Sequence, residues 1–162
     1  MRGFTIIEFL LVISIISILY AVSLFFLRPE IFQAKARDDV RITDLGNLQS
    51  LIENYIADNG NPPDSADALR KSNQTVNPSS NPSKSDGSGW IGYNFENATS
   101  KLPTDPLNSG NYIYRYLRVG RNYELDGKLE YYTNLMQGDG QGDGGNSTTR
   151  YEKGTDLTIL GD

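Results

Sequence analysis

Residues 3–20 read GFTIIEFLLVISIISILY, an apolar run that carries one carboxylate, Glu8, close to its front edge. From Phe9 to Leu27 no residue is charged, and that length is close to the ~20 residues a helix needs to cross the hydrocarbon core of a bilayer. An ionised side chain carried into hydrocarbon costs several kcal/mol unless it is paired or neutralised. The acid therefore requires a partner, or a place at the interface where a first-turn carboxylate gains ~0.3–1 kcal/mol from the helix dipole.

The rest of the chain is different in kind. A length of 162 residues suits one domain plus an appendage, and a mean hydropathy of -0.45 places most of it against water. Lys and Arg number 15 against 20 Asp and Glu, a net charge of -5, which argues against sequence-independent nucleic-acid binding. The absence of Cys and His removes thiol nucleophiles, disulfides, thiolate or imidazole metal sites and histidine acid–base catalysis. With no nucleophile elbow, phosphate loop or metal-ligand spacing either, an enzyme is not expected.

Three readings of the apolar run compete. A cleaved secretory signal would use Ala21-Val22-Ser23 as its exit. An uncleaved signal anchor is the second, and Arg28, Lys35, Arg37 and Arg41 after the span would by charge alone hold the C-terminal part inside. The third rests on Gly3-Phe4-Thr5-Ile6-Ile7-Glu8, which resembles the processing site of type IV pilins and the related type II secretion pseudopilins. A scissile glycine suits a peptidase that must admit extended backbone, since it has no Cβ to obstruct.

That resemblance implies a membrane prepilin peptidase that cuts between Gly3 and Phe4 and methylates the new amine of Phe4. It implies assembly through Thr5 and Glu8, with the Glu8 carboxylate meeting the cationic amine of Phe4, usually on a neighbouring subunit. The implied life history is a single-pass protein of the cytoplasmic (inner) membrane that later enters an extracellular or periplasmic filament. Its implied partners are the lipid bilayer, identical or homologous pilin subunits, the peptidase and the membrane assembly machinery. The implied function is that of a structural subunit of a type IV pilus or a type II secretion-like filament. A membrane-anchored extracytoplasmic binding domain that does not polymerise is the alternative.

The expected fold is α+β and pilin-like: a long N-terminal helix, membrane-spanning in its first half and amphipathic in its second, packed on a small antiparallel sheet. Its divisions are a leader at 1–3, a transmembrane and polymerisation helix at 4–28, an amphipathic half at 29–58, a variable region at 59–111 and a sheet at 112–162. The amphipathic half is read from Ile42, Leu45, Leu48, Ile52 and Tyr55, whose spacing draws one helical stripe. Asn59-Gly60-Asn61-Pro62-Pro63 is its stop. One continuous helix over residues 5–57 follows, with Pro29 free to kink or locally open it and Gly46 open to close approach by a strand.

Residues 71–89, KSNQTVNPSSNPSKSDGSG, bury too little apolar surface to order themselves and read as an exposed loop. Strands are expected where Tyr112, Tyr114 and Tyr116 alternate with Ile113, Arg115 and Leu117, and where Tyr123, Leu125 and Leu129 alternate with Glu124, Lys128 and Glu130. Val119-Gly120-Arg121-Asn122 turns between them, and residues 155–160 are a third candidate. Leu102-Pro103-Thr104-Asp105-Pro106 looks like the pseudopilin segment that leads into the sheet, although Leu107-Asn108 stands where that family commonly has tryptophan-glycine. Without the cysteine pair that closes the C-terminal loop of many major pilins, some other device must hold this one. Pseudopilins often bind calcium here, and Asp139 and Asp143 in GDGQGDGG are the candidate ligands, with Asp126, Asp156 and Asp162 as further oxygens. Their spacing is not that of an EF-hand, and a plain solvated loop is the competing reading. No other cofactor is expected.

Overall fold

The structure, a computed structural model, describes residues 3–136 and 142–161. The chain divides into two compact units, Met1–Ala34 and Lys35–Asp162. In the first, helix α1 spans Ile6–Leu27 and Arg28 closes it with left-handed backbone, φ 41° and ψ 67°. Helix α2 then runs Pro29–Asn59. The long helix is thus opened at Arg28 into two, the local opening at Pro29 that the sequence allowed, because proline lacks the N–H that would continue the ladder and its ring disfavours α-helical backbone at the residue before it. The large apolar side chains of α1 between Ile6 and Leu24 are all at least 40% exposed. By length and composition Ile6–Leu24 is long and apolar enough to cross a membrane.

In the second unit, α2 ends at Asn59 with Gly60 at φ 76°, its N–H donating to the Ile56 carbonyl at 2.7 Å. This is the left-handed stop that glycine supplies without steric cost. The sheet has four antiparallel strands in chain order: β1 Arg70–Lys71, β2 Tyr114–Val119, β3 Asn122–Gly127 and β4 Tyr151–Gly154. Val119 pairs with Asn122 across a two-residue turn in which Gly120 takes φ 59°, a conformation that suits a tight hairpin.

The last strand is not at 155–160 as the alternation suggested. There the Thr155 and Asp156 N–H groups both turn to the single Tyr123 carbonyl, at 3.0 and 3.5 Å, and the later donors go to side chains: Asp156 accepts from the Thr158 N–H and hydroxyl, and Glu124 accepts from the N–H groups of Ile159 and Leu160. Backbone committed to carboxylates cannot also join a ladder.

One sheet face meets α2. Leu45, Leu48 and Ile52 are fully buried against Tyr114, Tyr116, Tyr123 and Leu125, each aliphatic side chain stabilising by ~1.5–3 kcal/mol. The tyrosine hydroxyls explain why the strands carry Tyr here. Tyr114 donates to Asp44 at 3.0 Å, Tyr123 to Glu53 at 3.4 Å and Tyr116 to the Pro63 carbonyl at 2.7 Å. Gly46 receives no strand, since a Cβ there would meet nothing within 4 Å. The close approach is at Gly127, where a Cβ would lie 3.1 Å from both Leu45 and Tyr114.

Residues 71–89 also depart from the expectation of a loop unable to order itself. Asn77, Asn81 and Asp86 each accept the N–H two residues on, the local turn chemistry of Asx residues. The segment is pinned at its ends by Val76 N–H to the Gly89 carbonyl, 2.7 Å, and Trp90 N–H to the Pro82 carbonyl, 3.0 Å. Trp90 and Ile91 then bury almost completely in the core. Apolar anchors just past the Ser/Asn stretch supply the area it lacks itself.

Candidate functional site

The front of α1 is a reciprocal cap. Thr5 is extended at φ -83° and ψ 151°, and its hydroxyl oxygen accepts the Glu8 N–H at 3.3 Å. The Glu8 carboxylate in turn accepts the Thr5 N–H at 3.1 Å and the Thr5 hydroxyl at 3.0 Å. This is the capping box, in which two orphan donors of the first turn are satisfied at once. Thr5 and Glu8 are thus brought together within one chain. Gly3 and Phe4 lie ahead of the helix, exposed. Further along, Ser14 and Ser17 donate to the carbonyls of Leu11 and Ile13 at 2.8 and 2.7 Å, so neither hydroxyl needs a partner from outside the helix.

In the second unit the most heavily charged site is buried. Arg41 and Asp38 are both fully buried, and Arg41 clasps Asp105 with Nε at 2.7 Å and a second nitrogen at 3.1 Å. It also donates to Asp38 at 2.8 Å and to Glu130 at 2.6 Å. Arg37 reaches Glu130 as well, at 2.7 Å through Nε. Two guanidinium groups face three carboxylates here, and the excess negative charge is met by backbone. Asp38 accepts the successive N–H groups of Glu130, Tyr131 and Tyr132, and Asp105 those of Leu107 and Asn108. Fully bonded charges of this kind escape much of the desolvation penalty of burial. The Arg37 hydrogen bond, reinforced by Arg41, holds the Glu130 carboxyl down to about 2.

The sheet face turned away from α2 is ionic rather than apolar. Lys71, Arg115, Asp126 and Glu152 form one cross-strand row, and the C-terminal segments close over it. Asp126 accepts from Arg115 at 2.9 Å and from Arg150 at 2.7 Å. Arg115 also donates to the Gly161 carbonyl at 2.7 Å. Glu124 holds Ile159 and Leu160, and Glu152 holds the Ser147 N–H at 2.9 Å. These charge-assisted hydrogen bonds tie the C-terminal segments to the sheet, the task a disulfide performs elsewhere.

Within this cover Glu124 and Glu152 are fully buried, and one oxygen of each, Oε1, has no donor. Burial and the hydrogen bond to Glu152 push the Glu124 carboxyl up to about 8, and burial also raises Glu152. Two buried carboxyls with these raised values favour the protonated form over a pair of adjacent negative charges.

Of the carboxylates considered for calcium, Asp139 and Asp162 lie outside the described residues. Asp143 accepts the N–H groups of Gly145 and Glu152, fastening the loop to β4. Asp126 is held by two guanidinium groups, whose charge is incompatible with a cation at the same oxygens. Asp156 accepts within its own turn. Among the described residues no group of three or more His, Cys, Asp or Glu is arranged to hold a metal ion. The sequence singled out Asp143 as a candidate ligand; it met Arg41, Asp105 and Glu124 only as a cation after the span, a member of a linking segment and a strand position, and passed over Asp38 and Glu152. Comparison with family models, with curated proteins and with solved structures returns no match.

Proposed function

We propose that the chain is a prepilin-like structural subunit, cleaved between Gly3 and Phe4 and polymerised through α1 into a type IV pilus or type II secretion-like filament. The observation that carries this reading is α1 itself, a helix apolar around its whole circumference, opened by the Thr5–Glu8 cap and preceded by Gly3-Phe4. A helix hydrophobic on every side is at home in lipid or in the core of a large assembly. A subunit that leaves a bilayer for a bundle of its own kind occupies both in turn.

The acid has work in each state. In the monomer Glu8 completes the cap of its own helix. In the bundle it meets the amine of Phe4, and an amine left unpaired in an apolar core costs ~3–5 kcal/mol. Glu8→Gln separates the two tasks, because glutamine also serves the capping box and lacks only the charge. The variant is expected to be cut, N-methylated and inserted as the native chain is, yet to build few and short filaments, counted by electron microscopy of sheared surface material. Filaments of native number and length from Glu8→Gln would reduce Glu8 to a helix-start acid and remove the polymerisation argument.

A further inference from the structure

The ionic face of the sheet opens into a cleft of about 340 Å³ whose lining includes Lys71, Ile113, Arg115, Lys128, Thr149 and Arg150. In a chain with 20 acids against 15 bases, this lining holds four cations and no carboxylate. Asp126, almost fully buried, is ion-paired among the described residues with Arg115 and Arg150. Lys71 and Lys128 form no ion pair among the described residues. The nearest electron-rich group to the Lys128 ammonium is the Tyr112 ring, 5.9 Å to its centroid.

We propose that this cleft binds a tetrahedral oxyanion of the phosphate class, free or as a monoester. Among the described residues the two arginines are turned to Asp126, and the ammonium groups of Lys71 and Lys128 are left in the same cleft without a carboxylate, a pairing of charges that a doubly charged anion relieves. A phosphate carries about -1.5 to -2 charges at neutral pH and offers three acceptor oxygens. The two arginines are already spent on a carboxylate, whose planar geometry suits their fork. The two lysines are point charges with rotatable donors, suited to an anion approached from several sides. The arginines are also preorganised: Arg150 is fixed by Asp126 and by the Asn111 and Ile113 carbonyls, and Arg115 by Asp126 and the Gly161 carbonyl. Binding therefore freezes chiefly the lysine stems. Ile113, 7% exposed, contributes apolar lining.

The test is calorimetric titration of the full chain in non-ionic detergent with sodium phosphate at fixed ionic strength, alongside glycerol phosphate. Saturable phosphate binding is expected, weakened at least ~10-fold in the Lys71→Ala/Lys128→Ala variant. A tighter complex with glycerol phosphate points to an esterified source such as a lipid headgroup, and equal affinity points to free phosphate. Neither lysine is in the core or an ion pair, so the variant should keep its melting temperature without phosphate. If it does not, the single Lys→Gln variants carry the comparison. Absence of saturable heat with either anion, or equal affinity in native and variant chains, overturns the proposal.

Discussion

Glu124 and Glu152 lie on adjacent strands, beneath the C-terminal cover, and burial raises both carboxyls. The sign of the resulting pH dependence is fixed. An acid whose folded pKa is raised binds more protons in the folded chain, so its contribution to stability is complete below the ordinary value near 4.5 and is lost as pH rises toward about 8. Glu130 acts in the other direction. Its depressed pKa gives stability that is present above 4.5 and lost as pH falls toward about 2. The melting temperature of the full chain in detergent should therefore be highest near pH 4.5 to 5, as far as these groups decide it, and decline toward pH 8. Glu124→Gln mimics the protonated member of the pair, with an oxygen for the Ile159 and Leu160 N–H groups and an amide donor for Glu152. It should match the native chain at pH 5 and melt higher at pH 8, and an unchanged slope in differential scanning calorimetry would contradict the raised Glu124 carboxyl.

Helix α2 packs through a stripe at Asp38, Arg41, Leu45, Leu48 and Ile52, all buried. These positions advance by three, four, three and four, a regular helical seam. Apolar residues alone drew a stripe that starts at Ile42 and continues to Tyr55. It captured the lower half of the seam and missed the upper, because a charged side chain reads as solvent-facing unless its partners are known. Asp105 and Glu130, far along the chain from Arg41, left no local signal. Arg41 joins α2 to both segments, so its removal strands Asp38 and Asp105 in the interior. Arg41→Met keeps volume and helix propensity but should cost ~3–5 kcal/mol, measured by denaturant unfolding of the full chain in detergent. A loss below ~1 kcal/mol would mean that the cluster is replaceable by apolar packing. The hairpin of β2 and β3 was legible, as alternation and the Gly120 turn are both local. Strand β4 was not, since the competition for its neighbours' N–H groups is decided by Asp156 and by Glu124 on a different strand.

At the scale of the whole molecule, the chain joins a unit that carries an apolar helix to a unit with a buried core of its own. The apolar length of α1 and the acid near its start were written in consecutive residues and were readable, whereas its end before Pro29 was not, because the helical pattern resumes on the far side of the proline. The cover over the far side of the sheet was not readable either, because it is assembled from pairings between residues as distant as Arg115 and Gly161. The account as a whole stands on one covalent event at the front. The direct measurement is N-terminal sequencing with intact mass spectrometry of the chain recovered from membranes that contain a prepilin peptidase, for the native sequence and for Gly3→Trp. The native chain should begin at N-methylated Phe4, and the Gly3→Trp chain should remain uncut because bulk at the scissile bond occludes the backbone. A native chain that still begins at Met1, or one cut instead near Ala21-Val22-Ser23, would contradict it.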